Sequence, residues 1–405
     1  MDLSRPEAPM RKLMGPGPLD IHPRVYKALA SPVISHLDPA YLPVLRRVGE
    51  LLKGLFGTGN EVTNAVPGTG TSGMEACISN ILEPGDPVMI CMNGFFGDRL
   101  RQMAERHEAE ITVIKEQWGK PMDPQVIEDA IRKRPVKVIA LVHAETSTGV
   151  LQPMEDIAAI AERYGAMILL DVVTSLGGLE LDLDRLGVDM AYGCSQKCVG
   201  SPPGLSPITF SDRAMEVVRS RRTPVRNWYL DMDLLSRYWS PDEKVYHHTS
   251  SSTLNYALLE ALLLIHEEGI RTRSKRHLKN HEALVAGVEA LGLTMLVEPR
   301  FRLPMLNAIV IPEGVDDVKL RNYLVECYNL EIGGGLGELQ GKIWRVGLMG
   351  YSSSAQNVIF FISALSRALS VQGFKTNLAE GLEAAMEIID DREIEKEPTL
   401  RLVRR

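Results

Sequence analysis

Seven short apolar segments alternate with helical patterns through the first half of the chain, and this alternation limits the fold more than any other feature. The segments lie at Val62–Val66, Pro87–Met92, Glu110–Ile114, Val136–Val142, Met167–Val172, Asp189–Tyr192 and Pro207–Phe210. Three intervening stretches have the apolar spacing that is typical of helices, at Met74–Leu82, Pro124–Lys133 and Met154–Tyr164. Because strands that alternate with helices form βαβ units, the pattern predicts an α/β fold with a mainly parallel, seven-stranded sheet.

The second half of the chain has a different pattern. Residues 254–291 have helical periodicity that breaks near Gly269, which predicts the passage from a large domain to a small one. Strand and helix patterns follow at Ala308–Ile311, Val318–Tyr328, Ile343–Val346 and Asn357–Leu369. We therefore expect an N-terminal arm (1–16), a large domain (17–268) and a smaller C-terminal α+β domain (269–405), which ends in a charge-dense tail from Asp390 that we expect to be frayed.

Charge and composition exclude several classes of protein. The net charge is −7 and the isoelectric point is near 5.8, whereas nucleic acids and anionic membranes need a clustered positive surface. The basic residues between 271 and 279 are flanked by glutamates and are typical of a solvated helix face. No apolar run reaches the roughly 20 residues of a membrane helix, and residues 1–19 lack a continuous apolar segment. We expect a cytoplasmic protein that binds neither nucleic acid nor membrane. The five cysteines, odd in number and without CxxC spacing, predict neither a disulfide nor a metal site.

An acid and a lysine follow two of the predicted strands. Asp171 ends an apolar run, so a parallel sheet would place its carboxylate at the carboxyl edge, where open α/β sheets bind ligands. Lys197 follows the next strand-like run and precedes a turn-rich segment. Singly, each has a simpler explanation, because most such Asp residues cap helices and most Lys residues are solvated. Together they match what pyridoxal 5'-phosphate needs: an acid that keeps the pyridine nitrogen protonated and an amine that binds the aldehyde covalently.

Five motifs then connect the chain to a known family. They are Glu145–Gly149, Ser195–Lys197, Pro202–Gly204, Tyr246–Thr249 and Gly333–Gly337. With them the chain resembles the class V aminotransferases of pyridoxal-phosphate fold type I, most closely the alanine–glyoxylate and serine–glyoxylate branch, from Gly15 to about residue 370. The resemblance implies a transaminase that moves an amino group from alanine or serine to glyoxylate or pyruvate. It also implies Lys197 as the residue that carries the proton from Cα.

The segment Pro67–Gly73 is the expected phosphate site. A strand ends there and a helix begins, so backbone N–H groups and hydroxyls meet at the positive end of a helix. Without the resemblance, a glycine-rich turn with a Thr or Ser N-cap is the better explanation. The resemblance implies phosphate contacts from Thr69, Gly70, Thr71 and Gln196. It also implies that Tyr246 and Thr249 reach the phosphate of a neighbouring subunit, and therefore a homodimer with a shared active site.

Three further residues match positions around the cofactor ring. Phe96 matches the aromatic residue that stacks on the ring, where relatives often have Trp, and Val173 matches the apolar group on the other face. Ser147 matches the hydroxyl that meets the phenolic oxygen. From the residues alone, Phe95 is well explained as a core residue, and Phe96 less well, because its neighbouring glycines leave room for a ligand.

Arg345 is the expected substrate residue. It interrupts the apolar strand pattern Ile343–Gly347, and a buried arginine needs a partner. The α-carboxylate of an amino acid supplies one through two parallel hydrogen bonds. An ion pair with Glu331 or Glu338 explains the residue equally well from sequence alone, and the resemblance favours the substrate. No second arginine matches a position that would hold a distal carboxylate, so we expect small donors.

Three alternatives remain. A cysteine desulfurase-like lyase has His before the lysine and His on the ring, where this chain has Gln196 and Phe96, so it is disfavoured. An aminotransferase for ureidoglycine or another nitrogen-rich donor is a second alternative, since residues 226–229 and His36 could line a pocket for such a donor. The sequence does not rank this donor against alanine and serine. A catalytically silent scaffold is disfavoured by the intact Lys197, Asp171 and Arg345.

Overall fold

The structure is a computed structural model that describes residues 7–240 and 245–391. The charged tail was predicted from Asp390, and its residues 392–405 lie outside the described residues. The helices are α1 (Pro23–Leu29), α2 (Leu42–Phe56), α3 (Gly70–Ile81), α4 (Phe95–Arg106), α5 (Pro124–Lys133), α6 (Glu155–Tyr164), α7 (Asp212–Arg219), α8 (Met232–Trp239), α9 (Ser252–Glu268), α10 (Ile270–Ala290), α11 (Asp317–Tyr328), α12 (Ala355–Val371) and α13 (Leu378–Asp390). The strands are β1 (Lys12–Leu13), β2 (Val62–Gly68), β3 (Pro87–Met92), β4 (Glu110–Lys115), β5 (Val138–Val142), β6 (Ala144–Glu145), β7 (Val150–Leu151), β8 (Met167–Asp171), β9 (Met190–Tyr192), β10 (Gly204–Phe210), β11 (Leu306–Val310), β12 (Leu330–Glu331), β13 (Gly333–Gly334) and β14 (Ile343–Gly347).

A seven-stranded sheet forms the centre of the molecule, in the order β2-β10-β9-β8-β5-β3-β4. Only β10 runs antiparallel to its neighbours, so the predicted α/β fold with a mainly parallel sheet is confirmed. Every residue of β5 and β8 is buried. These strands have apolar cores on both faces, because helices cover both sides of the sheet. Burial on both faces explains why they are continuous apolar runs rather than alternating ones.

The carboxyl ends of the parallel strands create the place for a site. Strands β3, β5, β8 and β9 run in the same direction, so the loops that follow them meet at one edge of the sheet. In register, Asp171 at the end of β8 lies beside Tyr192 at the end of β9. Strand β10 begins at the same edge with Gly204, just after the loop that carries Lys197.

A smaller unit follows α9 and contains a three-stranded antiparallel sheet, β11-β14-β13. Helices α10 to α13 pack with it around a core that includes Trp344 and Phe361. Gly269, with φ of 80°, separates α9 from α10. The predicted domain boundary at 268/269 falls at this glycine, and the division into two domains stays a prediction.

The N-terminal arm packs as part of the smaller unit. Strand β1 pairs in parallel with β12, with Lys12 opposite Leu330, and Met14 is fully buried in the core of the smaller unit. Residues 15–17 then run on to the edge of the large sheet, where Gly17 lies against Lys197. The arm therefore joins the two units beside the site.

Candidate active site

A cavity of about 270 Å³ opens at the carboxyl edge of the large sheet. Nine of the predicted site residues line it: Thr69, Gly70, Thr71, Phe96, Asp171, Val173, Gln196, Lys197 and Arg345. Ser147, Tyr246 and Thr249 are not among the described lining residues. The remaining lining residues were not predicted: Pro16, Gly17, Met74, Arg99, Val142, Thr146, Tyr192 and Leu336.

Asp171 is a buried carboxylate at the inner end of this cavity. Its side chain is almost inaccessible, and it accepts hydrogen bonds from the Tyr192 hydroxyl (2.7 Å) and from the backbone N–H of Val173 (2.8 Å). Burial raises the pKa of the carboxyl from its ordinary 3.8 to about 6, and the two hydrogen bonds and the charge of Lys197 act in the opposite direction. A buried carboxyl in this state gains strongly from a cation placed beside it.

Lys197 is held by two threonine hydroxyls. Its Nζ donates to Oγ1 of Thr146 (2.6 Å) and to Oγ1 of Thr174 (2.9 Å), and the two hydroxyls are 2.6 Å apart. Burial lowers the pKa of the amine below its ordinary value, while the nearby carboxylate of Asp171 raises it. Burial therefore favours the neutral amine, which is the nucleophilic and basic form.

The beginning of α3 forms the predicted phosphate end of the cavity. Thr69 is the N-cap of this twelve-residue helix, and its side chain makes no capping hydrogen bond. The first N–H groups of a helix have no partners within the helix, so they are free to bind an anion. A Cβ on Gly70 would lie 2.8 Å from Cγ2 of Val173, so only glycine allows this close approach. The side-chain Oε1 of Gln196 is buried and has no hydrogen-bond partner among the described residues.

Arg99 adds a positive charge to this end of the cavity. It lies on α4, and its Nη1 donates to Oγ1 of Thr71 at 3.1 Å. Its guanidinium is 5.0 Å from the centre of the Phe96 ring and 5.4 Å from that of Phe95, within the range of a cation–π interaction. It forms no ion pair with a carboxylate in the described part of the chain. Sequence reasoning missed Arg99, although its position one helical turn after Phe96 places both on one face of a helix.

The hydroxyl that lines the cavity belongs to Thr146 and not, as predicted, to Ser147. Ser147 donates from Oγ to Glu145 (2.6 Å) and accepts from the backbone N–H of Phe95 (2.9 Å), so its side chain points away from the cavity. Thr146 presents its hydroxyl there instead. Thr146 and Ser147 lie in the turn that follows β6, and in this turn their side chains point in different directions.

Glu145 fixes the start of α4, which carries Phe96. This fully buried carboxyl accepts hydrogen bonds from Ser147 and from the backbone N–H of Phe96 (3.2 Å), and burial raises its pKa. A Cβ on Gly94 would overlap the Glu145 side chain, which explains the glycine before the two phenylalanines. Phe96 is thereby held with its ring centre 5.7 Å from Nζ of Lys197.

Arg345 lies in the middle of β14 and is only 6% exposed. Its Nε donates to the carbonyl of Gly334 (2.7 Å) and its Nη1 to the carbonyl of Thr146 (3.3 Å). No described carboxylate pairs with it, so the ion pairs with Glu331 or Glu338 that the sequence left open are absent from the described residues. Burial lowers its pKa to about 10, which leaves the guanidinium charged at neutral pH. The site thus contains a buried guanidinium that lines the cavity and has no carboxylate partner among the described residues.

Tyr246 and Thr249 lie on the surface, away from the cavity of their own chain. Tyr246 is 60% exposed, and its ring is 5.3 Å from that of His36. Trp228 is also 60% exposed and stacks on His247 at 4.5 Å. The residues considered for a nitrogen-rich donor are therefore on this aromatic surface and do not line the Lys197 cavity.

The residues present fit pyridoxal phosphate. The cavity combines the buried carboxylate of Asp171, the buried amine of Lys197 and, after Thr69, a helix N-terminus without a side-chain cap. These groups match a pyridine nitrogen, an aldehyde and a phosphate in turn. Within the described residues, no group of three or more His, Cys, Asp or Glu side chains could hold a metal ion, and no helix there is long and apolar enough to cross a membrane.

Comparisons with known proteins agree with this geometry. The family model Aminotransferase class-V matches residues 50–337. The crystal structure of an alanine–glyoxylate aminotransferase from Nostoc sp. is 47% identical, with a TM-score of 0.89, over 91% of this chain and 98% of that one. The structure of a ureidoglycine–glyoxylate aminotransferase from Bacillus subtilis is 35% identical, with a TM-score of 0.93, over 96% and 100% of the two chains. The alanine–glyoxylate aminotransferase of Drosophila melanogaster is 37% identical over 93% of this chain and 98% of its own length.

Proposed function

Because this chain belongs to the class V aminotransferases, we propose that it moves the amino group of a small amino acid, alanine or serine, to glyoxylate or pyruvate. The main support for the proposal is that one cavity is lined by Lys197, Asp171 and Arg345, and that Arg345 has no carboxylate partner among the described residues. Two of the relatives above are named for alanine and glyoxylate, which supports this choice of donor and acceptor.

The enzyme uses pyridoxal phosphate. When bound, this cofactor supplies an aldehyde that takes up the donor's amino group and a ring that accepts the electron pair of the broken Cα–H bond. In our proposal Asp171 keeps the ring nitrogen protonated, because a buried carboxylate strongly favours an adjacent cation. Thr69, Gly70, Thr71 and Gln196 would bind the phosphate. Phe96 and Val173 would hold the ring between them, and Thr146 would meet its phenolic oxygen.

Lys197 has two roles in the proposed reaction. Its Nζ holds the aldehyde covalently before the donor arrives, and it then moves the proton from Cα. A general base works best when its pKa lies near the working pH, and burial of Lys197 lowers the pKa of its amine toward that range. Sequestration by Phe96 and by the N-terminal arm at Gly17 keeps water away from the reacting carbon.

Arg345 binds the α-carboxylate of the donor. Two of its nitrogens donate to backbone carbonyls of Gly334 and Thr146, and these hydrogen bonds hold the guanidinium in place. A fixed guanidinium that has no anion of its own is ready for bidentate binding. Small donors fit best, because Gly334 brings backbone close to the carboxylate site and Arg99 is already engaged with Thr71.

A homodimer with a shared site is a second part of the proposal. The exposure of Tyr246 and its absence from its own cavity are expected if its hydroxyl donates to a neighbouring subunit's phosphate, as the Thr249 hydroxyl would. If so, the surface that carries His36 and Trp228 also approaches the neighbour's cavity. A nitrogen-rich donor such as ureidoglycine is therefore our second candidate, favoured by this surface and by the similarity to the Bacillus subtilis enzyme. A cytoplasmic location stays a prediction from the sequence.

One experiment tests the core of the proposal. Purified enzyme treated with borohydride should lose its cofactor absorbance and retain the cofactor on a single lysine, Lys197, in peptide mapping. Attachment at Lys120 or Lys342 would disprove the site. Initial rates with alanine, serine, ureidoglycine, aspartate and glutamate at fixed glyoxylate then decide between the donors.

The shared site is tested by subunit mixing. Lys197→Ala protein mixed with Tyr246→Phe/Thr249→Ala protein should regain activity, because one of the two sites in each heterodimer is intact. Activity that stays at the level of the parents, after subunit exchange has been verified by mass, would show that each chain completes its own site.

A further inference from the structure

Thr174 lies directly behind the amine of Lys197. It follows β8 by three residues and is fully buried. Its Oγ1 accepts a hydrogen bond from Nζ at 2.9 Å and lies 2.6 Å from Oγ1 of Thr146. Thr146 lines the cavity together with Lys197, whereas Thr174 is not among the described lining residues. The two hydroxyls therefore hold Nζ from the cavity side and from the protein side.

The hydrogen-bond pattern selects one orientation of the amine. A neutral lysine amine has two N–H groups and one lone pair, whereas an ammonium has three N–H groups. The two threonine oxygens accept two N–H groups, and within residues 7–240 and 245–391 no other side chain accepts from Nζ. The pair thus satisfies a neutral amine completely and leaves its lone pair unengaged.

We propose that Thr174 is a positioning residue that holds the free amine of Lys197 so that its lone pair faces the substrate's Cα. The inference rests on the proposed function, in which Lys197 is released when the donor's amino group replaces it. A released lysine has a flexible four-carbon stem, and proton transfer needs donor and acceptor about 3 Å apart and aligned. Thr174 supplies that alignment from the protein side. Thr146 alone does not supply it, because in our proposal the Thr146 hydroxyl meets the cofactor.

Three variants separate positioning from packing. Thr174→Val keeps the shape and removes the hydroxyl, and Thr174→Ser restores the hydroxyl. Thr148→Val is the matched control, because the Thr148 hydroxyl is also buried but has no hydrogen-bond partner among the described residues.

The first measurement does not depend on turnover. Enzyme loaded with pyridoxamine phosphate has a free Lys197, and its reaction with acetic anhydride across pH, followed by mass spectrometry, reports the pKa of the amine. Loss of an acceptor removes more stabilisation from the ammonium than from the amine, so Thr174→Val should shift the midpoint down by about half a pH unit or more. Thr174→Ser and Thr148→Val should keep the wild-type midpoint.

The second measurement is the single-turnover rate with alanine and with alanine deuterated at Cα. Thr174→Val should slow the half-reaction about 10-fold or more, with a larger isotope effect and a nearly unchanged alanine concentration for half-saturation. Thr174→Ser should recover most of the rate. If Thr174→Val behaves like Thr148→Val in both measurements, the inference is wrong.

Two controls keep this result interpretable. If Thr174→Val does not fold, as judged by circular dichroism and cofactor absorbance, Thr174→Ala against Thr174→Ser makes the same comparison. Borohydride attachment to Lys197 in the wild type tests the proposed function separately. If that attachment fails, the function of Lys197 is wrong, whereas if it succeeds and the Thr174 variants are unaffected, only the role of Thr174 is wrong.

Discussion

The hydroxyl of Tyr192 donates a 2.7 Å hydrogen bond to Oδ2 of Asp171, across the register that pairs the ends of β9 and β8. Both side chains are buried, so this bond operates where charge is costly. It favours the ionised carboxylate, whereas burial favours the neutral acid and raises the pKa of Asp171 to about 6. The balance between the two decides at which pH Asp171 can pair with the cofactor's ring nitrogen.

Tyr192→Phe should make cofactor binding more sensitive to acid. Loss of the hydrogen bond raises the pKa of Asp171 further, so the carboxylate is protonated at a higher pH than in the wild type. Hydrogen bonds to charged groups are worth about 1.5–3 kcal/mol, so we expect an affinity loss of about 10-fold or more at pH 6 that narrows toward pH 8. Titration with pyridoxal phosphate at both pH values measures it. An equal loss at the two pH values would show that the tyrosine acts by packing alone.

Asp171→Asn should still bind the cofactor but lose most of its rate. Without a negative charge beside the ring nitrogen, the protonated ring is no longer stabilised, and we expect a loss of roughly 3 kcal/mol or more in the barrier. Asp189→Asn is the control, because Asp189 is also buried but serves the other end of the strand pair, where it accepts from the backbone N–H of Ile168. Steady-state kcat of both variants with alanine and glyoxylate provides the test. Near-normal kcat in Asp171→Asn would contradict the assigned role.

The raised pKa of Asp171 also predicts how the stability of the cofactor-free protein depends on pH. Its folded pKa of about 6 is above the ordinary 3.8, so the fold favours the neutral acid. This contribution to stability is complete below pH 3.8 and is lost as the pH rises through about 6. Asparagine does not titrate, so Asp171→Asn should gain on the order of 1 kcal/mol in unfolding free energy relative to wild type between pH 5 and pH 8. Urea unfolding of both cofactor-free proteins at these pH values measures the difference, and a constant difference would contradict it.

The sequence predicted Asp171 and Lys197 because their surroundings leave a strong local pattern. A strand buried on both faces is a continuous apolar run, and a charged residue at its end is conspicuous. The sheet itself follows from the same pattern. Helix α2, by contrast, was not predicted although it has a clear apolar face, with Leu45, Val48 and Leu52 buried.

Other parts of the site depend on contacts that no local pattern contains. The choice between Thr146 and Ser147 follows from the direction in which the chain leaves a two-residue strand, β6, and neighbouring hydroxyls are equivalent on paper. Arg99 meets Thr71 because α3 and α4 pack against each other, although β2 and β3, the strands before them, are not neighbours in the sheet. Gly17 reaches Lys197 from the far end of the chain. Such contacts are tertiary, and for this reason the local sequence pattern did not identify Thr146, Arg99 or Gly17 as site residues.

Arg99→Gln should weaken cofactor binding with little effect on the donor. Its guanidinium meets Thr71 at the phosphate end and the face of Phe96, so its removal costs both charge and cation–π contact. We expect an increase of about 10-fold in the dissociation constant for pyridoxal phosphate. Arg101→Gln is the matched control, since Arg101 lies on the same helix but pairs with Asp98 and Glu105. Equal effects of the two substitutions would mean that Arg99 supports only the helix.

Arg345→Lys tests how the donor is held. Lysine keeps the charge but cannot form two parallel hydrogen bonds with a carboxylate, so the KM for alanine should rise about 10-fold or more. Some loss of kcat should follow, because a tilted carboxylate moves Cα away from Nζ of Lys197. Arg321→Lys serves as the control: this nearby arginine already pairs with Asp317, and its replacement should leave the KM unchanged.

Alanine and serine should also turn over far faster than aspartate or glutamate in the wild type. Equal KM values for alanine in the wild type and Arg345→Lys would show that another group binds the α-carboxylate, whereas a preference for glutamate would show that a second group holds a distal carboxylate and would contradict the expected small donors.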